Sequence, residues 1–355
     1  MSLAFRFLGA LYLKYFFILL LALETFFVGI DLLKFAEELP PSANLVVLFV
    51  VYDALYALNF ILPIALVLAQ ILLFVVLLRT NELTALLSIG YSKRQITTPL
   101  LGIALLFTFG FIALNATPFA YAKERVDTIL DQGYVGNFKR ELFVKYHDSY
   151  IYFDKIYPLL QKAEGVKVYR LEGDRVAQWI EAKEARFVDN HWRLNEAMVM
   201  TIPSELTLGS SPLEVEKVDF MEVLEGFRPR ILDSIYERHG AVSIIDAIES
   251  MSLLLEQQVN SQKIRGILYS LVLFPFFAPL CMVLVAYYMP ITMRYGNLAI
   301  IVFAAILGVL LFWGLFFALS RLSMSGFIHP EVSLLIPMIL WTALALFFWR
   351  RLARL

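Results

Sequence analysis

"ELFVKYHDSYIYFDKIY" (Glu141–Tyr157) alternates side chain by side chain and is rich in β-branched and aromatic residues. That period of two predicts half-buried strands. The pattern continues through "GVKVYRLEGDRVAQWIEAKEARFVDNHWRLNEAMVMTI" from Gly165 to Ile202, with turn signals at Glu172–Asp174 and Asp189–Asn190. Short strands at this spacing predict an antiparallel sandwich or open barrel of about 90 residues. The surroundings of this segment decide the fold. The chain has 355 residues and is 60% hydrophobic, where a soluble domain is about half apolar.

The polar residues are concentrated around those strands. Segment 120–263 holds 18 of the 30 Lys+Arg and 24 of the 31 Asp+Glu. On either side the chain is nearly bare hydrocarbon. Crossing a bilayer takes about 20 predominantly apolar residues. The segments that qualify are Leu11–Ile30, Ala57–Leu78, Pro99–Pro118, Gly266–Tyr288, Leu298–Leu319 and Val332–Trp349. Apolar sequence starts earlier than the second span, at Leu45, but Asp53 interrupts it. Leu45–Tyr56 therefore reads as an interfacial elbow. From Val242 to Ile264 the pattern turns helical, with Ile244, Ile248, Leu253 and Val259 among polar residues. The expected organisation is residues 1–120 with three spans, 121–263 with the β domain and flanking helical segments, and 264–355 with three more spans.

The first apolar segment is long and lacks a small-x-small cleavage site, so it reads as a retained span anchored by Arg6 and Lys14. Basic residues in short loops set the orientation. With the N-terminus inside, the inner segments carry Arg6, then Arg79, Lys93 and Arg94, then Arg294, then Arg350, Arg351 and Arg354. The outer loops carry Lys34 against Asp31, Glu37 and Glu38, and Arg321 against Glu331. Both termini are expected in the cytoplasm and the β domain outside.

Several chemistries lack their residues. A net charge of -1 suggests no nucleic-acid partner. Cys281 is the only cysteine, so no disulfide framework or thiolate metal cluster can form within the chain. His147, His191, His239 and His329 have no ligand spacing. No G-x-x-x-x-G-K-[ST] or G-x-S-x-G occurs. No catalytic residue, metal site or cofactor is expected. Within the spans, Lys14, Glu24, Asn59 and Gln70 are few for an ion-coupled relay, and Glu24 reads as a packing residue. Pro275 and Pro279 are expected to bend span four.

"RTNELTALLSIGYSKRQ" (Arg79–Gln95) lies between spans two and three. It reads as a short cytoplasmic helix. Thr80 or Asn81 can cap it, and Glu82 falls in the first turn, where the helix dipole favours an anion. Leu83, Leu86 and Leu87 form an i, i+3, i+4 stripe, and Gly90 can end the helix. Lys93 and Arg94 are expected at the inner headgroups. The leucine stripe suits a groove in a separate ATPase, and it equally suits a helix lying on lipid.

In this combination of span layout, central β domain and "NELTALLSIGYSKRQI" after span two, the chain resembles the lipopolysaccharide export permeases LptF and LptG, over essentially its whole length. The first outer loop, "GIDLLKFAEEL", is more similar to LptG. The resemblance implies six transmembrane helices with an inserted periplasmic β-jellyroll-like domain, in the bacterial inner membrane. It implies one subunit of a pseudo-symmetric permease pair, with an LptF-like second subunit and a dimer of an LptB-like ATPase that binds the ATP and Mg. It further implies that lipopolysaccharide passes to the jellyroll domains and on to an LptC-like bridge protein. Glu82 matches the acidic residue of the ATPase-coupling helix, with Leu83, Ala85, Leu86 and Gly90 following in register. Lys34 matches a basic residue used near lipid phosphates; read without the resemblance, it is an ordinary snorkelling lysine. Lys123, Arg125 and Arg321 are further rim candidates by location. The other readings are the LptF-type subunit, a mechanotransmitting permease that carries no lipid itself (a class that usually has four spans), and a membrane enzyme, for which no acid/base or metal constellation is present.

Overall fold

The computed structural model describes residues 3–130, 139–146, 148–157, 160–173, 175–189, 191–202, 214–225, 227, 242–256, 261–292 and 297–353. His147, Asp174, Asn190, His239, Val259, Arg294 and Arg354, which the sequence reading used, lie outside the described residues. The chain separates into a helical unit and a sheet unit.

The helical unit begins with α1 (Leu3–Lys34), α2 (Ala43–Arg79), α3 (Glu82–Ser88) and α4 (Lys93–Asn115). A single tight turn, Pro118–Tyr121, leads to α5 (Ala122–Leu130). After the sheet come α6 (Ile244–Glu256), most of which groups with the sheet unit, and then, in the helical unit, α7 (Gln262–Leu273), α8 (Phe277–Tyr288), α9 (Leu298–Met324) and α10 (Ile336–Leu352). Among the described residues, six helical stretches are long and apolar enough to cross a membrane, and they overlap the predicted spans.

The elbow expected at Leu45–Tyr56 is not there. α2 runs unbroken for 37 residues, about 55 Å at about 1.5 Å per residue, well beyond a hydrocarbon core of about 30 Å. Asp53 does not interrupt it, because it is only 1% exposed and faces the charges of Asp31, Lys34 and Lys123. An ionisable residue in a long apolar helix turns toward the bundle interior and other charges, and it leaves the backbone hydrogen bonds intact.

α2 is the centre of the bundle, whereas few residues of α1 or α9 are buried. α8 packs against α2, α4 and α10. Gln70 Nε2 donates to the Met282 carbonyl at 3.0 Å, and Tyr12 Oη donates to Leu66 O at 2.9 Å. The bend expected in span four falls at Pro275, where the turn Phe274–Phe276 separates α7 from α8. Pro279 sits in the first turn of α8 and leaves it helical. α7 and α9 meet through small residues: Gly266 against Ser323, and Ser270 hydrogen-bonded to Ser320. Such contacts let helix backbones approach closely in lipid. At the start of α7, Arg265 pairs with Glu331 and Gln262 bonds to His329.

In α6, Ala247 and Ser250 are buried, whereas Ile248 is 50% exposed. The predicted stripe through Ile248 therefore names the wrong face. Small residues, not the isoleucine, turn inward.

The sheet unit is a single six-stranded antiparallel sheet whose spatial order follows the chain: β1 (Lys139–Tyr146), β2 (Ser149–Tyr157), β3 (Lys162–Glu172), β4 (Arg175–Val188), β5 (His191–Thr201) and β6 (Glu214–Val223). One face carries the apolar core, including Phe153, Val166, Ile180 and Trp192. Phe227, beyond β6, lies over this face. Its ring stacks on Phe153 with centroids 6.2 Å apart, and its carbonyl accepts from Trp192 Nε1 at 2.7 Å.

The alternation slips by one residue at the same level in neighbouring strands. Inward residues run Phe153 then Ile156, Ala163 then Val166, Ala182 then Ala185, and Leu194 then Ala197. Pairing lapses there, at Glu141 opposite Asp154, Asp154 opposite Gly165, Gly165 opposite Lys183, and Glu196 opposite Asp219. The register is the same on both sides of each lapse, unlike a bulge. Glu141, Gly165 and Glu196, on alternate strands, have positive φ of 52°, 62° and 52°. The result is a crease across the whole sheet. At its centre a Cβ on Gly165 would lie 2.6 Å from Asp154 Cβ.

Candidate functional site

The segment joining α2 to α4 is ordered by local bonds at each corner. Thr80 Oγ1 bonds back to Val76 O at 3.0 Å and does not cap α3. Asn81 occupies the N-cap in a left-handed conformation, φ 60°, with no side-chain bond. Its carbonyl accepts from Ala85 N at 3.0 Å. At the other end Gly90 has φ +100°. Gly90 N donates to Leu87 O at 3.0 Å and Tyr91 N to Leu86 O at 3.1 Å, the paired bonds by which a left-handed residue closes a helix. Ser92 then opens α4 with a reciprocal box: Ser92 N donates to Gln95 Oε1 at 2.9 Å, and Gln95 N donates to Ser92 Oγ at 3.3 Å. That S-x-x-Q signature was legible in the sequence and was missed.

α3 is seated by its leucines. Leu83 is fully buried in the bundle core, and Leu86 and Leu87 pack against it. The stripe is therefore turned toward the chain's own helices, with Leu83 buried and Leu86 and Leu87 partly covered. The opposite face carries Ala85, Ser88 and Ile89, all exposed, with Ile89 75% exposed and Glu82 partly exposed at the edge. Ile89 was missed, although its i+7 spacing from Glu82 and i+4 from Ala85 mark it as sharing their face.

Lys93 is not at a headgroup. It is 2% exposed, and its Nζ donates to the carbonyls of Met289 and Tyr287. Thr84 Oγ1, from α3, donates to Ile291 O at 3.4 Å in the same segment. Arg94 points elsewhere, its guanidinium 5.0 Å from the Trp349 ring.

A second cluster gathers near the start of α2, about 40 Å from Thr80 at about 1.5 Å per helical residue. Lys34 ends α1, exposed, with Nζ 4.4 Å over the Phe35 ring. Tyr52, Tyr56 and Phe60 repeat every fourth residue along one face of α2. Arg125 donates to Tyr52 Oη at 2.6 Å and lies 5.0 Å over its ring. Lys123 lies 5.4 Å over Tyr56. Phe60 meets Phe317 at 5.5 Å, and Arg321 stands 5.1 Å over Phe317. Aromatic faces attract cations, so this ladder holds three basic groups along one edge of the bundle. The Glu24 carboxylate oxygens and Asp53 Oδ2 are buried without hydrogen-bond partners. Among the described residues these acids form no metal-holding group.

The two clusters divide the sequence-derived residues. Glu82, Leu83, Ala85, Leu86 and Gly90 all belong to α3 and its stop. Lys34, Lys123 and Arg125 share the opposite end of α2, and Arg321 joins them through Phe317. This arrangement has an exposed helix face at one end and a cationic, aromatic edge at the other. A family model described as lipopolysaccharide export system permease LptF/LptG matches residues 6–351. No curated protein matches the chain.

Proposed function

The chain belongs to the LptF/LptG family of lipopolysaccharide export permeases, and from that premise we propose that it is the LptG-type permease subunit of an ABC transporter drawing lipopolysaccharide from the inner membrane. The outer-loop stretch "GIDLLKFAEEL" favours the LptG type over the LptF type. Energy comes from a separate ATPase dimer, which binds the ATP and Mg. α3 inserts its Glu82–Ala85–Ile89 face into a groove of that ATPase, while Leu83 and Leu86 hold the helix to its own bundle. The observation that carries this reading is the geometry of α3: closed by paired bonds at its end, seated by the buried Leu83 with Leu86 and Leu87 packed beside it, and presenting a 75% exposed isoleucine. A helix merely resting on lipid would turn its leucines outward.

At the other end of α2, Lys34 attracts lipid phosphates, with Lys123, Arg125 and Arg321 as neighbouring cations. The sheet unit then shields acyl chains, each CH₂ of which costs about 0.8 kcal/mol in water, and passes the lipid to an LptC-like bridge. Purification of the full chain in mild detergent tests the assembly. The expected complex contains two ATPase copies and an LptF-like subunit, and releases lipopolysaccharide only with ATP. A photoreactive residue at position 34 should crosslink to the lipid. A complex without an ATPase would overturn the coupling role, and an absent crosslink would return Lys34 to the snorkelling class.

Orientation follows from the basic loops. A cysteine at Ser92 is expected to resist an impermeant thiol reagent in intact spheroplasts, and one at Asp189 to react. The opposite pattern would invert the topology.

A further inference from the structure

Lys93 occupies a position its own helix disfavours. It is the first residue of α4, where the dipole's positive end repels a cation, and it is 2% exposed. Its compensation comes from nearly two hundred residues away. α8 ends at Met289, whose backbone turns extended at ψ 134°, and the last carbonyls of a helix have no partner within it. Lys93 Nζ donates to two of them, Tyr287 O and Met289 O. A charge-assisted bond to the negative end of a helix is among the stronger contacts a buried ammonium can make.

Four further features turn this contact into a mechanical link. The Ser92–Gln95 box fixes the start of α4 just past the end of α3, so Lys93 sits close to it in the chain. Thr84 Oγ1, on α3 itself, donates to Ile291 O just past the same helix end. Leu83 and Met289 belong to one buried cluster. α8 is also a separate half-helix, divided from α7 by the Phe274–Phe276 turn, so a pull on its end need not be spread along the whole span.

We propose that Lys93 is a positioning residue that ties the ATPase-docking helix to the end of α8, so that displacement of α3 moves that half of span four. This rests on the reading that α3 docks an ATPase. The protein to test is the full complex of this chain with its ATPase and second permease subunit, in lipid nanodiscs. The readouts are ATP hydrolysis, ATP-driven release of lipopolysaccharide, and the ratio between them. Lys93→Met should assemble in wild-type proportion and hydrolyse ATP within about twofold of wild type, yet release at least about fivefold less lipid per ATP, the lower end of common coupling effects. Lys93→Arg, which keeps the donors, should restore the ratio. A static packing role would lower assembly and melting temperature and leave the ratio in the surviving complex unchanged. A wild-type ratio in Lys93→Met, or no rescue by arginine, overturns the proposal. Should Lys93→Met fail to assemble, Thr84→Val decides: a roughly twofold lower ratio is expected, at the weak end for one shared hydrogen bond, and an unchanged ratio overturns the link. Failure of the docking reading looks different, since the ATPase would then remain bound to a chain carrying Ile89→Asp.

Discussion

Gly266→Ala is expected to cost about 3 kcal/mol or more, at the upper end of overpacking penalties. The added Cβ would stand 2.5 Å from the Ser323 carbonyl oxygen and 2.8 Å from its carbon. Those atoms belong to the backbone of α9, so no rotamer change relieves the clash. The two helices would have to part, and the bond between Ser270 and Ser320 one turn away would be strained with them. The measurement is thermal unfolding of the purified chain in detergent, together with yield in the membrane fraction. Gly308→Ala, on α9 with nothing within 4 Å of the added Cβ, is the control and should be neutral or slightly stabilising. Equal melting temperatures for the two variants would show that α7 and α9 do not pack as described.

Ile89→Asp is expected to abolish association with the ATPase while leaving the chain folded. Ile89 is 75% exposed, so the change should alter stability by only about 0.5 kcal/mol. In a docked groove the same carboxylate would be desolvated without a partner, costing several kcal/mol. At about 1.4 kcal/mol per tenfold, the dissociation constant should rise by at least about 100-fold. Glu82→Ala removes one charged contact, worth about 1.5–3 kcal/mol, and should weaken binding less. Leu83→Ala separates seating from docking. Leu83 is fully buried, so its loss should act on folding, by about 2–5 kcal/mol. Surface plasmon resonance against the purified ATPase, with melting curves in parallel, distinguishes the three. An Ile89→Asp chain that binds like wild type would remove α3 as the docking element.

Hydropathy made the spans legible, because a bilayer demands long apolar runs whatever the tertiary context. It failed at Asp53, where the deciding fact is which charges the bundle brings alongside. Periodicity similarly found the helix at Glu82–Ser88 and the side on which Leu83, Leu86 and Leu87 lie. It could not say what covers that side: the bundle buries Leu83, partly covers Leu86 and Leu87, and leaves Ile89 exposed. Gly90 was readable as a stop because a left-handed helix end has strong residue preferences. Lys93 was misread for the opposite reason. A basic residue after a helix suggests headgroups, and the carbonyls that bind it lie about two hundred positions downstream. In the sheet, alternation gave the strands. The phase slips at Asp154–Lys155, Glu164–Gly165, Lys183–Glu184 and Asn195–Glu196 were also there to read, each as two successive polar or glycine positions between inward residues.

The crease also constrains how this sequence can change by descent. Strands β2 to β5 each have one residue more than strict alternation needs, and neighbouring strands carry theirs at the same height. Delete Asp154 alone, and β2 regains perfect alternation. The part of β2 beyond the deletion, however, then meets both neighbours one residue out of step, with its inward side chains facing water. The same holds for Lys183 or Glu196. No strand can lose its extra residue alone without harm, so single-residue deletions at this height should be purged while substitutions that keep the length survive. These positions form one inherited unit of length, and homologous sheets should either keep the whole line or lack it entirely.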